Sequence, residues 1–355
     1  MFEPNKIYQG NTVELVKQLE DESINCCVTS PPYFGLRDYG TAKWEGGNPL
    51  CEHIGSIMRT APPGTAKQAS NQGASSVMSG DCRCGAKRVD IQLGLENTPE
   101  EYVSNMVKVF SEVKRSLKSD GTFWLNIGDS YYNYRPGKGQ GLPKQTVSAT
   151  KQDLPDTCAR RGNKLEGLKE KDLIGIPWML AFALRSNGWY LRQDIIWAKG
   201  NPMPESVEDR CTKSHEYLFL LTKNKNYNFN YKAIREKGVC PAGTKGAKGS
   251  AERFGTDKVN SRPPEYKVYD GMRNKRDVWQ INNKPFKGAH FAVMPEALVE
   301  PCILAGCPEN GLVFDPFSGA ATVAVVAKKL KRNYLGFELN PKYIEISESR
   351  LANVK

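Results

Sequence analysis

Residues 311 to 353, GLVFDPFSGAATVAVVAKKLKRNYLGFELNPKYIEISESRLAN, read as strand, turn and helix twice in succession. In each unit a short apolar run gives way to a Pro-containing turn and then to apolar residues at helical spacing. Two strands separated by a helix cannot form a tight hairpin; they lie parallel, with the helix packed across the sheet. The same alternation recurs upstream. KIYQ is a strand, the helix after it turns Val13, Leu15, Val16 and Leu19 inward, and Ile24 to Val28 is a second strand. TPEEYVSNMVKVFSEVKRSLKSDG is a helix that Thr98 caps and Gly121 ends, and GTFWLNIGD is a buried strand. A helix follows in IGIPWMLAFALRSNG, stopped at Gly188, then strands at Tyr190 to Trp197 and HEYLFLLTK, and a helix in MPEALVEPCILAGCPENG. The expected fold class is α/β, with a doubly wound, mainly parallel sheet. Residues 41 to 92 read as irregular, and the polar segment from Ser130 to Lys171 reads as a mobile loop.

The 355 residues, 39% of them apolar, suit one large domain with inserts. No run approaches the roughly 18 apolar residues that a membrane helix needs, and MFEPNKIYQG lacks a signal-peptide layout. An intracellular protein is expected, and its ten cysteines are then core residues or metal ligands rather than disulfides. The net charge is +11, and residues 223 to 287 hold 16 Lys and Arg against 6 Asp and Glu. That stretch fits a polyanionic partner, or a solvated loop whose charge serves solubility.

In doubly wound sheets ligands bind beyond the carboxyl ends of strands, where the strand order reverses. Two strand ends carry chemistry. Asp315, Pro316, Phe317, Ser318 and Gly319 form an acidic, small-residue turn into a helix, and Glu338 ends the next strand where a carboxylate can accept from ribose hydroxyls. A nucleoside-bearing cofactor is implied; the bland reading is an ordinary turn with Glu338 solvated. The other end, CVTSPPYFG, places Thr29, Ser30, Pro31, Pro32 and Tyr33 directly after a strand.

TSPPYF followed much later by FDPFSGAAT and FELNP resembles the amino-group DNA methyltransferases, in the permuted order of the beta class where the catalytic motif precedes the cofactor motif. The likeness spans most of the chain. It implies a Rossmann-like, S-adenosylmethionine-dependent fold with a seven-stranded sheet and an inserted target-recognition region. It implies also a double-stranded DNA substrate, a bacterial, archaeal or phage-encoded cytoplasmic enzyme near the nucleoid, a cognate restriction endonuclease and a homodimer. An exocyclic amine is a poor nucleophile because its lone pair is delocalised into the ring, so acceptors must converge on it. Ser30 and the Pro31 carbonyl are those acceptors, Pro32 fixes the backbone, and Tyr33, helped by Phe34, stacks on a flipped base. For the cofactor the resemblance implies Asn11, Thr29, Asp315, Phe317, Ser318, Gly319, Glu338 and Asn340. Two positions depart from the family pattern: Ala321 stands where a second glycine is usual, and Asn11 near where many members have an acidic residue. Ser at the first motif position is commoner in cytosine-N4 enzymes, which makes cytosine N4 the expected target. Adenine N6 is the rival, as is a non-catalytic DNA-binding protein of the same fold.

The divisions expected are residues 1–40 with 93–222 as the catalytic half, 41–92 as an insert, 223–290 as the basic recognition region and 291–355 as the cofactor half. In the insert, Cys51, His53, Cys82 and Cys84 offer three thiols and an imidazole for a zinc ion, against the alternative of surface cysteines without metal. Cys26, Cys27, Cys302 and Cys307 lie in apolar contexts and read as core. In GMRNKRDVW, Arg273, Lys275 and Arg276 are candidates for DNA contact, with Trp279 anchoring them. His215 and Glu216 open a strand, where a structural role is expected.

Overall fold

The computed structural model describes residues 2–35, 41–51, 82, 84–132, 167–243, 269–283 and 293–354. In chain order the main elements are β1 (Lys6–Gln9), α1 (Thr12–Leu15), β2 (Ile24–Thr29), β3 (Lys43–Glu45), β4 (Lys87–Val89), α2 (Pro99–Ser116) and β5 (Leu117–Ile127). There follow α3 (Ile176–Ser186), β6 (Tyr190–Ala198), β7 (His215–Thr222), β8 (Glu236–Lys237), β9 (Met272–Arg273) and β10 (Val278–Gln280). The chain closes with α4 (Glu296–Gly306), β11 (Leu312–Asp315), α5 (Thr322–Lys329), β12 (Asn333–Glu338) and α6 (Pro341–Ala352).

Eight strands form one sheet in the order β1-β12-β11-β2-β5-β7-β6-β10. All neighbours pair parallel except β7, which runs against both β5 and β6. The seven strands read from the sequence are present, and β10 adds an eighth at the edge. Along the central strands, side chains alternate between two cores, as a pleated strand covered on both faces requires. Cys27, Phe123, Leu125, Phe219 and Leu221 pack with α2 and α3. Their neighbours Cys26, Val28, Trp124, Leu218 and Leu220 pack on the other face with α4 and α5.

Two expectations need correction. The helix α2 starts as expected, with Thr98 Oγ1 accepting from Glu101 N at 3.1 Å, but it ends at Ser116 and not at Gly121. Leu117 turns straight into extended backbone, so β5 runs through Gly121 without a left-handed stop. The segment 41–92 is also less irregular than its composition indicates, because β3 and β4 pair antiparallel, Lys43 to Val89 and Glu45 to Lys87. Of the expected loop from Ser130 to Lys171, residues 133–166 lie outside the described residues, and its two ends are tied together, Lys171 N donating to the Tyr132 carbonyl at 2.8 Å.

Helix α2, on the way from β2 to β5, covers one face, and α5, which follows β11, covers the other. Strand order therefore reverses between β2 and β11, and the crevice beyond their carboxyl ends is where such folds place a ligand. Because β7 is antiparallel, its first residues, His215 and Glu216, lie at that same edge.

Candidate active site

Thr29 ends β2 and Asp315 ends β11, and the Thr29 hydroxyl donates to Asp315 Oδ1 at 2.6 Å across the reversal point. The Phe317 backbone N–H donates to the same oxygen at 3.0 Å, and Ser318 Oγ donates to the Asp315 carbonyl at 3.1 Å. Burial pushes the Asp315 carboxyl up to about 7, against the two hydrogen bonds that favour its charged form. The turn is tied to α1 as well, through Thr12 Oγ1 donating to the Pro316 carbonyl. Gly319 takes a φ of +50° with open space where a side chain would point, so the backbone is bare on that side.

Glu338 closes this cradle. Its Oε2 accepts from Gly319 N at 2.8 Å and its Oε1 from Asn340 N at 2.7 Å, which leaves each oxygen capacity for a further donor. Burial raises its pKa, opposed by those amide bonds. A buried carboxylate rim, bare glycine backbone and a helix start at α5 fit a ribose-bearing cofactor. Ala321, just before α5, sits at φ +59°, a left-handed conformation that costs an alanine about 1 kcal/mol and glycine almost nothing. The alanine thus adopts the backbone conformation for which a glycine is suited. Asn11 is the N-cap of α1, its side-chain oxygen accepting from Val13 N at 3.0 Å, and Asn340 caps α6 in the same way through Lys342 N.

Ser30 to Tyr33 follow Thr29 immediately. Tyr102 donates its hydroxyl to the Pro32 carbonyl at 2.9 Å, whereas no described residue donates to the carbonyl of Pro31. The Tyr33 ring lies against Gly128, where an added Cβ would come 2.7 Å from Cε2; only a glycine admits this approach. The Tyr33 hydroxyl donates to Glu216 Oε2 at 2.7 Å, with Ser30 Oγ at 3.4 Å. Burial and the Glu216 charge hold this phenol well above its ordinary value. Glu216 is itself paired with Lys199, both side chains 16% exposed, and Lys199 lies over the Trp197 ring. Asn126 donates to the Tyr217 carbonyl and stands 3.3 Å from the Tyr33 hydroxyl. Glu216, Lys199 and Asn126 are the residues that sequence reasoning missed or gave only a structural part; the reversed β7 brings Glu216 in. Phe34 is a core residue against Tyr102, at 5.7 Å between ring centres, and is not placed to help hold a base.

The other candidates lie apart. Arg273 Nε and Arg276 Nε both donate to Glu236 Oε1, at 2.9 and 2.7 Å, while Lys275 lies over the buried Trp279 ring. Trp279 belongs to β10, separated from β2 by three strands. The sulfurs of Cys51, Cys82 and Cys84 all lie within 4.8 Å of one another, and the Ala86 backbone N–H directed at Cys84 brings that thiol down to about 6. His53 lies outside the described residues.

The DNA methylase family model for N6 and N4 enzymes matches residues 24–349. The chain belongs to the N6/N4 DNA methylase family. The Type II methyltransferase M.Cfr9I of Citrobacter freundii is 38% identical over 97% of this chain and 87% of that one. Among solved structures, the PvuII DNA methyltransferase (cytosine-N4-specific) superposes with a TM-score of 0.55 at 17% identity, covering 100% of this chain and 89% of that one. A Thermus thermophilus protein, solved in complex with S-adenosyl-L-methionine, superposes with a TM-score of 0.51 at 20% identity, over 98% and 94% of the two chains. The chain is thus a DNA methyltransferase of the N6/N4 type, which acts on an amino group of DNA. Among the described residues no helix is long and apolar enough to cross a membrane.

Proposed function

We propose that the enzyme methylates cytosine N4 of a base rotated out of double-stranded DNA, with Ser30, Pro31, Pro32 and Tyr33 as its catalytic loop. The observation that carries this reading is the Thr29–Asp315 hydrogen bond of 2.6 Å, which holds the loop beside the cofactor turn at the reversal of strand order. Ser30 Oγ and the Pro31 carbonyl accept the two amine hydrogens and turn the nitrogen lone pair out of conjugation. Pro32 cannot donate, and its own carbonyl is occupied by Tyr102, so the loop holds one shape. Tyr33, fixed at its hydroxyl by Glu216, offers a ring face to the base. Bound S-adenosylmethionine supplies an electrophilic methyl group. Glu338 holds its ribose, with Asp315, Phe317, Ser318 and Gly319 shaping the turn and Asn11, Thr29 and Asn340 bracing it. Alignment of amine and methyl then governs the rate.

Cytosine is favoured over adenine because a neutral Ser hydroxyl opens the motif and because a cytosine-N4-specific enzyme shares the fold. Arg273, Lys275 and Arg276 are assigned to DNA backbone or guanine contact. The Type II names of the relatives support a cognate endonuclease, a cytoplasmic place beside the cell's DNA and, by family likeness, a homodimer. The deciding experiment is transfer from labelled S-adenosylmethionine to mixed-sequence duplex DNA with nucleoside mass spectrometry, comparing wild type with Ser30→Ala. N4-methylcytosine is expected, with transfer reduced roughly 100-fold in the variant and cofactor affinity unchanged. N6-methyladenine would overturn the base, and an unaffected Ser30→Ala would overturn the site.

A further inference from the structure

The thiols Cys51, Cys82 and Cys84 lie outside the site described above and outside the two apolar cores, whereas Cys26, Cys27, Cys302 and Cys307 each belong to one of those cores. The three outlying thiols gather at the end of the β3–β4 pair, where two turns meet. One turn follows β3 through Gly46 and Gly47; the other is closed by Cys82 N donating to the Ala86 carbonyl at 2.7 Å and Gly85 N to the Cys82 carbonyl at 2.8 Å. The turns approach so closely that a Cβ on Gly47 would lie 2.6 Å from Ala86 N and 2.8 Å from Cys84 Sγ. Gly47 and Gly85, at φ +74° and +86°, supply the left-handed backbone that this needs.

We propose that Cys51, Cys82 and Cys84 supply three of the four ligands of a structural zinc ion that clamps the root of the insert. Two sulfurs each about 2.3 Å from a tetrahedral ion stand about 3.8 Å apart. Cys51 Sγ and Cys82 Sγ are 3.6 Å apart, and the third sulfur lies within 4.8 Å of both. A disulfide would join two of these thiols and leave the third, whereas a thiolate metal site uses all three. Strands of three residues cannot hold themselves together in water, and among the described residues of 41–92 none belongs to either apolar core, so a bound metal would supply the order that packing does not. The clamp also reaches the active site. From β4 the chain runs to Gly94, whose carbonyl accepts from Gly35 N at 2.8 Å, and a Cβ at Gly94 would meet the Tyr33 carbonyl at 3.0 Å. The zinc thus anchors the segment that backs the catalytic loop.

The test is metal analysis of the full-length protein purified under reducing conditions without chelator. About one zinc per chain is expected, and cobalt put in its place should show the intense sulfur-to-metal charge-transfer absorption of a thiolate site. The double substitution Cys82→Ser with Cys84→Ser should lower bound zinc at least about tenfold, with circular dichroism reporting whether the main domain stays folded. Less than about a tenth of an equivalent of zinc in the wild type, together with no cobalt charge-transfer band, would overturn the proposal. So would full zinc retention by the double variant. None of these readouts depends on methyl transfer, so the assignment of the catalytic loop stands or falls separately.

Discussion

Asp315 is 3% exposed at the end of β11, and the balance between burial and two hydrogen bonds leaves its carboxyl at about 7. In an unfolded chain the same group titrates near about 3.9. Between those values the folded protein holds a proton that the unfolded chain releases. The stabilisation from this linkage is therefore fully present below about pH 4 and is lost as the pH rises through about 7. Asp315→Asn keeps an acceptor for Thr29 and Phe317 but does not titrate. Relative to wild type, the variant should gain about 2–3 kcal/mol of stability between pH 5 and pH 8, read from denaturant unfolding of the cofactor-free protein. A pH-independent difference would show that the carboxyl is ionised throughout. Thr29 was legible as a motif residue, but its bond to Asp315 was not, because 286 positions separate the partners.

One reversed element shapes the site. β7 pairs antiparallel with β5, Ile127 to Tyr217 and Asn126 to Leu218, and with β6, Ala198 to His215. Had it run parallel, Glu216 would lie at the opposite edge of the sheet, away from Tyr33. Its pairing with Lys199 is sheltered, so removing one partner leaves a charge poorly solvated. Glu216→Ala should cost roughly 2–3 kcal/mol and Glu216→Gln, which keeps an acceptor for the Tyr33 hydroxyl, about 1 kcal/mol. Methyl-transfer rates should follow the same order, measured beside urea unfolding. Equal rate losses in the two variants would show that holding Tyr33 in place is not what Glu216 does. HEYLFLLTK was readable as a strand from its apolar run, but direction is not a property of one strand's sequence. The end of α2 shows a smaller version of this limit: Gly121 reads as a stop signal, and the pairing of Leu117 with Ile24 of β2 draws the residues before it into the sheet.

Across the whole molecule the positive charge is concentrated in residues 223 to 287, yet its described arginines are not simply displayed to solvent. Arg273 and Arg276 share Glu236, whose carboxyl lies below the usual range because the Arg276 hydrogen bond favours its ionised form. Neutralising that acid frees two cations. Glu236→Gln should tighten DNA binding and steepen the dependence of log affinity on log salt by up to roughly one unit per freed arginine. Fluorescence anisotropy over a salt series measures this; an unchanged slope would place the DNA path elsewhere. β10, also from this stretch, escaped sequence reading because three residues among charges show no period. It exists as a strand because β6 presents an open edge and Trp279 is buried, its indole N–H donating to the Arg276 carbonyl at 2.7 Å.

The alternation of strands and helices, the two motif-bearing strand ends and the basic stretch follow from the sequence alone. They rest on apolar spacing, turn chemistry and charge, which neighbouring residues carry between them. The direction of β7, the burial of Phe34, the meeting of Glu216 with Tyr33 and the gathering of Cys51 with Cys82 and Cys84 were decided by tertiary structure. Each depends on a contact between distant segments that forms only when the sheet has chosen its order, and no local pattern records that choice.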